Sequence, residues 1–205
     1  MVAGDTVALA VSFSGTPPIG YEWRRNGTTL VTFGQGTSIL TLAHVQLPSA
    51  GIYSVMVTNS ACPSGVLSAD AILTVLADSD SDHLPDDWEI AFRLRADDPS
   101  DGAEDPDGDT MTNLQEYMAG TDPKNALSFL KLEGFISRGV NLLLSFSAVS
   151  NKTYTVQSSK SGDPAIWINL ISFDAATSNR VIVVTNSIPG VSAPSYYRLQ
   201  TPRAP

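Results

Sequence analysis

Apolar residues alternate with polar ones at Val7, Leu9, Val11 and Phe13, again from Ile39 to Val45, and again from Ile52 to Val57, which is the rhythm of strands with one buried face. Turn signals separate these runs: Thr16-Pro17-Pro18, and the pair Asn26-Gly27, which favours a tight hairpin. From residue 128 the rhythm returns in FLKLEGF, VNLLLSF, TYTVQSS, WINLISF, RVIVVT and YYRLQT, divided by SRG, SGDP and NSIPG. In between, the alternation stops. Trp88, Ala91 and Phe92, and later Leu114, Tyr117 and Met118, are spaced as one face of a short helix, and each helix is expected to offer its apolar stripe to the other. The pattern predicts a mainly β chain in three parts: a sandwich over 1–76, a loop-helix module over 77–127, and a second sandwich of six or seven strands over 128–205. His44 is predicted to continue the strand of Leu40 and Leu42 and to face solvent.

Charge sharpens the division. The 205 residues carry a net charge of −9, yet the segment from Asp78 to Asp122 alone holds twelve Asp and three Glu against Arg93 and Arg95, a net of −13, so the remainder sums to +4. No basic face for nucleic acid or an anionic membrane is visible, and no apolar run is long enough to span a bilayer. The single cysteine, Cys62, excludes an internal disulfide and is expected in a loop without an activating neighbour. The N-terminus lacks the basic start and long apolar stretch of a signal peptide, and the chain is expected to be a piece of a longer secreted protein.

The acidic residues are not scattered. DSDSDHLPDDWE from Asp78 and DPDGDTMTNLQE from Asp105 both place Asp at positions 1, 3 and 5, Asp or Asn at 9, and Glu at 12. A hard cation such as Ca²⁺ takes oxygens from these positions of a loop of this length, with a backbone carbonyl at position 7. The expected ligands are Asp78, Asp80, Asp82, the Leu84 carbonyl, Asp86 and Glu89 in one loop. In the other they are Asp105, Asp107, Asp109, the Met111 carbonyl, Asn113 and Glu116. About two Ca²⁺ are therefore expected. Asp97, Asp98, Asp101 and Asp122 lie nearby at irregular spacing and are second-tier candidates. Position 6, where such loops turn sharply and usually carry Gly, is His83 in one loop and Thr110 in the other, so the second loop is expected to be strained.

Gly4, Leu9, Val11, Trp23, Leu40, Leu42, AGIY ending at Tyr53, and Val55 resemble an immunoglobulin-like domain of the intermediate set over roughly the first 70 residues. The resemblance implies that Trp23 packs between the sheets and that Tyr53 forms the tyrosine corner. Both cysteine positions of that family read Val here, Val11 and Val55, so this sandwich is held by burial alone. DPDGDTMTNLQEYMAGTDP resembles the paired calcium loops of dockerins and thrombospondin type 3 repeats found in large secreted bacterial proteins. That resemblance implies structural calcium and an extracellular or cell-surface setting.

No GxSxG, no Cys-His arrangement and no phosphate-cradling glycine loop is present, and His44 and His83 are the only histidines. A non-catalytic, calcium-stabilised scaffold or adhesion region is the expected function. The alternative is a recognition module for polysaccharide or another extracellular protein, with Trp167, Tyr196 and Tyr197 as a sugar platform, although core packing is the simpler expectation for these aromatics.

Overall fold

A computed structural model describes residues 1–34, 39–138, 141–163, 166–187 and 196–202, with no account of the side chains of 31–34 and 138. The chain is mainly β and divides into two compact units, Met1–Ser100 and Asp101–Pro205.

Among the described residues the first unit contains seven strands: β1 (Val7–Ala10), β2 (Ile19–Arg25), β3 (Thr28–Gly34), β4 (Ile39–Leu42), β5 (Gly51–Asn59), β6 (Cys62–Leu67) and β7 (Ala71–Leu73). β1 pairs with β4 in one sheet. The other runs β3-β2-β5-β6, with β7 also on β5, and every pairing is antiparallel. Val2 bridges Leu76 in parallel, closing the sandwich near its start. The Asn26-Gly27 turn joins β2 to β3 with φ of 51° and 79°, the left-handed pair a two-residue hairpin needs.

Trp23 and Val55 are register partners on β2 and β5, both buried, and Val11 packs on the same cluster with Leu9 and Leu40. Two valines thus fill the volume a cross-link would occupy. The Tyr53 hydroxyl donates to the Ser49 carbonyl at 2.7 Å from a side chain that is 1% exposed, which is the tyrosine corner. Topology, corner and buried Trp together make this an immunoglobulin-like sandwich.

Three sequence expectations are corrected here. β4 ends at Leu42 because His44 takes a φ of 47°, which turns the chain out of the ladder, so His44 is exposed but not on a strand. β1 ends at Ala10 and does not reach Phe13. Cys62 opens β6 instead of lying in a loop. It pairs with Asn59, whose Oδ1 accepts its amide, and it lines a cavity of about 360 Å³ together with Val11, Phe13 and Val57.

After β7 the first unit holds one helix, α1 (Asp86–Phe92), and the second unit opens with a short 3-10 turn, Asp101–Ala103, and α2 (Asn113–Ala119). Among the described residues six strands follow: β8 (Gly134–Arg138), β9 (Asn141–Ala148), β10 (Tyr154–Ser159), β11 (Ile168–Phe173), β12 (Arg180–Ser187) and β13 (Tyr196–Gln200). They form two antiparallel sheets, β12-β9-β8 and β11-β10-β13. Leu144, Phe146, Ile182 and Val184 from one sheet meet Tyr154 and Val156 from the other in a single core. The run from Phe129 to Glu133, expected to be strand, is unpaired until the Glu133 amide reaches the Ser145 carbonyl; Leu130 and Leu132 pack on the core from an extended segment instead. SRG, SGDP and NSIPG fall partly outside the described residues.

Candidate functional site

The two acidic loops lie in different units, and the same local conformation is built twice at a spacing of 27 residues. In both, the first Asp accepts two backbone amides, from positions 4 and 6. For Asp78 these are Ser81 at 2.7 Å and His83 at 3.2 Å; for Asp105 they are Gly108 at 2.8 Å and Thr110 at 2.9 Å. The Asp at position 3 accepts from position 5, at 3.3 Å for Asp80 and 3.2 Å for Asp107. The Asp at position 5 accepts from position 7, at 2.7 Å from Leu84 to Asp82 and 2.9 Å from Met111 to Asp109. The amides engage both oxygens of Asp78 and of Asp105, but only Oδ1 of the Asp residues at positions 3 and 5.

Backbone torsions repeat as well. Positions 4 and 6 are left-handed in both loops, Ser81 and His83 at φ 70° and 75°, Gly108 and Thr110 at 80° and 82°. Glycine meets that demand at Gly108 alone. A β-branched Thr at φ 82° is the strained case the sequence anticipated.

The helices then start at equivalent points. The position-9 amide donates to the residue just before each loop, Asp86 to the Ala77 carbonyl at 3.0 Å and Asn113 to the Glu104 carbonyl at 2.9 Å. Both helices stop on a left-handed residue, Arg93 after α1 and Gly120 after α2. The correspondence continues beyond them. Asp98 and Asn125 each accept the amide two residues on, Ser100 and Leu127, both at 3.2 Å. The sequence showed the ligand spacing but not this longer repeat, for which the recurring Asp98 and Asn125 were the available signal.

Oxygens converge in each loop. Asp78, Asp80 and Asp82 bring carboxylate oxygens within 4.8 Å of one another, and so do Asp105, Asp107 and Asp109. Glu89 is fully buried and has an oxygen within 4.8 Å of one on Asp82. Glu116 is also fully buried, and neither of its oxygens has a hydrogen-bond partner of good geometry; Asp107 Oδ2, Asp109 Oδ2 and Asn113 Oδ1 are likewise buried without one. Burial pushes the Glu116 carboxyl up to about 7. The nearby Thr121 hydroxyl opposes this, and the charges of Asp107, Asp109 and Asp122 add to it.

Position 9 separates the loops. Both oxygens of Asp86 are engaged by Ser79, one by its amide at 2.7 Å and one by its hydroxyl at 2.8 Å. The second loop has Pro106 at that place, which offers neither donor, and Asn113 instead donates Nδ2 to the Asp101 carbonyl at 2.7 Å and leaves Oδ1 free. Asp98 pairs with Arg95 and accepts from Ser100; Asp122 Oδ1 accepts the Lys124 amide; Asp97 is exposed in a turn; Asp101 is buried in the 3-10 turn. The His83 ring lies 3.7 Å from Asp5.

The Trp88 and Phe92 rings pack along α1 with centroids 4.8 Å apart and planes tilted by 46°. α2 rests on its own sandwich through its C-terminal carbonyls. Lys152 Nζ donates to the Tyr117 carbonyl and sits 4.6 Å from the Tyr117 ring, Thr201 reaches the Met118 carbonyl at 3.5 Å, and the Tyr154 hydroxyl reaches that of Ala119 at 3.4 Å. Of the expected aromatic platform, Tyr197 is in the core with its hydroxyl accepting from Asn186, while Trp167 and Tyr196 are not part of that core.

No family model matches the chain, and no curated protein matches it. Among solved structures it is similar to Sidekick-1 immunoglobulin domains 1–4, at 22% identity over 36% of this chain and 19% of that one, TM-score 0.33. Sidekick-1 immunoglobulin domains 1–5 match at 22% identity over 37% of this chain and 15% of that one, TM-score 0.33. The human OSCAR ligand-binding domain matches at 14% identity over 100% of this chain and 86% of that one, TM-score 0.33. The chain thus spans under a fifth of the Sidekick-1 chains, and similarity of this degree assigns no function. Among the described residues no helix is long and apolar enough to cross a membrane.

Proposed function

We propose that both acidic loops bind calcium, and that this chain is a non-catalytic, calcium-stabilised scaffold or adhesion region of a secreted or surface bacterial protein. The observation that carries the reading is Glu116: a fully buried carboxylate with no hydrogen-bond partner of good geometry, beside buried Asp107 and Asp109 oxygens that likewise have none. A solvated acidic linker has no reason to bury a carboxylate among others, since each charge taken from water costs free energy unless something cationic meets it. An all-oxygen donor set suits a hard cation over zinc or iron.

In the second loop the residues that would hold the ion are Asp105, Asp107, Asp109, the Met111 carbonyl, Asn113 and Glu116. In the first they are Asp78, Asp80, Asp82, the Leu84 carbonyl and Glu89, with Asp86 secured by Ser79 and contributing at most indirectly. Two Ca²⁺ would offset four of the negative charges of the acidic segment and draw each loop onto its helix. Calorimetric titration of chelator-treated protein tests this. Two binding events with dissociation constants of roughly 10⁻⁶ to 10⁻³ M are expected, with Mg²⁺ competing poorly. No heat, with no calcium in the purified protein, overturns it.

A further inference from the structure

The outer face of the β11-β10-β13 sheet is built unlike a face meant only for water. Its central strand presents Thr155, Gln157 and Ser159, which are 0%, 5% and 3% exposed although all are polar. Each is satisfied from a neighbour. The Thr155 hydroxyl lies 2.9 Å from that of Ser172, Ser159 accepts the Ser161 and Gly162 amides, and Gln157 spends both ends of its amide sideways, donating to Asn169 at 2.7 Å and accepting from Arg198 Nε at 2.7 Å. The register places Arg198 opposite Gln157 and Tyr196 opposite Ser159. The result is a rigid polar floor under a row of exposed Asn169, Arg198 and Tyr196.

Arg198 is the centre of that row. Its guanidinium lies 4.2 Å from the centroid of the Trp167 ring, and its Nε is held by Gln157. Stacking and the Nε bond fix the plane of the guanidinium while leaving its two terminal nitrogens without a protein acceptor among the described residues. A guanidinium held this way presents the planar fork that matches a carboxylate, and little side-chain entropy remains to be lost on binding. The surroundings agree in charge. Residues 128–205 carry seven Lys and Arg against three Asp and Glu, so the segment that holds this face is locally positive in a chain whose net charge is −9.

We propose that this face binds an acidic polysaccharide, with a uronate carboxylate on the Arg198 terminal nitrogens, the ring hydroxyls on Asn169 and Ser172, and an apolar sugar face on Tyr196. A sugar chain can lie across the side chains of such a face, whereas an extended peptide would add at a strand edge. The proposal is independent of the calcium reading.

The test is calorimetric titration of the full chain at a fixed calcium concentration with a hyaluronan octasaccharide, which carries carboxylates and no sulfate, against a neutral cello-oligosaccharide and oligoglutamate. Binding of the uronate chain alone is expected, weakened about tenfold or more in Arg198→Gln and less in Arg198→Lys, which keeps charge but loses the fork. Salt should weaken wild-type binding by screening. If Arg198→Gln does not fold, Arg198→Lys decides. Absence of uronate binding, equal binding of the neutral sugar or of oligoglutamate, or unchanged affinity in a folded Arg198 variant overturns the proposal.

Discussion

The Thr110 amide donates to Asp105 Oδ2 at 2.9 Å, and it can do so only because Thr110 holds a left-handed φ of 82°. The hydrogen bond that positions the loop's first carboxylate is therefore made at the expense of backbone strain on a β-branched residue. Thr110→Gly removes that strain, partly offset by the greater freedom of glycine in the unfolded chain. The second unit should gain about 0.5–1 kcal/mol, measured by denaturant unfolding, and the second loop should gain calcium affinity. A loss of stability would show that the Thr side chain contributes more than its strain costs.

Glu116 yields a prediction whose sign changes with the ion. In calcium-free protein its carboxyl sits near 7 against an ordinary 4.5, so between those values the folded chain holds a proton that the unfolded chain has released. The contribution of Glu116 to stability should therefore be fully present below about pH 4.5 and be lost as pH rises through about 7. Glu116→Gln should flatten that slope and make the chelated protein more stable than wild type at pH 8, while in calcium the order should reverse. Thermal unfolding with and without chelator checks both halves.

Much of this was legible in the sequence, and the misses have physical reasons. Spacing alone located two loops that share one local conformation, because their backbone amides call for Asp at the same positions of each. Trp23, Tyr53, Val11 and Val55 marked the first sandwich because its core needs particular volumes at particular places. Strand ends were misread at His44 and at Phe129 to Glu133, since alternation reports which side chains face the core and says nothing of whether the backbone is paired. The Ser79 grip on Asp86 was hidden too. Asp suits a ligand and a local hydrogen-bond acceptor equally well, and the neighbour that decides between them stands at position 2 of the loop.

That neighbour leads to a prediction at the first loop. Ser79 occupies both Asp86 oxygens, and Ser79→Ala removes the hydroxyl bond at 2.8 Å while leaving the amide bond at 2.7 Å. One Asp86 oxygen is then released toward the ion. Calcium affinity of the first loop should rise a few-fold, whereas the helix start should weaken by about 0.5–1 kcal/mol. Titration of Ser79→Ala against wild type separates the two effects, and unchanged affinity would mean Asp86 takes no part.

The tyrosine corner is a control that should ignore calcium. Tyr53→Phe deletes the bond to the Ser49 carbonyl and should cost the first unit about 1 kcal/mol. Because the cluster in which Tyr53 packs, with Val45, Leu73 and Val75, contains no candidate ligand, calcium titrations of the variant should match wild type.

The last prediction follows from how α2 ends. Its final carbonyls, on Tyr117, Met118 and Ala119, are capped by Lys152, Thr201 and Tyr154, and Gly120 leaves the helix at φ 78°, where an added Cβ would lie 2.8 Å from Val149 Cγ1. The Tyr154 hydroxyl also accepts the Val149 amide at 2.9 Å, so one buried side chain ties the turn before β10 to the helix that begins at Asn113 and carries Glu116. An ion holding Asn113 and Glu116 would therefore stabilise the second sandwich as well as the loop. At about one hundred times the dissociation constant of the second loop, calcium should add about 2.7 kcal/mol to unfolding of the second unit. Trp167, the one tryptophan after residue 100, reports that transition by fluorescence. Tyr154→Phe keeps the ring in the core but cuts the tie to the helix, so it should lower second-unit stability and shrink the calcium increment together. A full increment in Tyr154→Phe would mean that the loop and the sandwich are coupled by some other route, and no increment in wild type would mean that α2 folds onto the sandwich without regard to the ion.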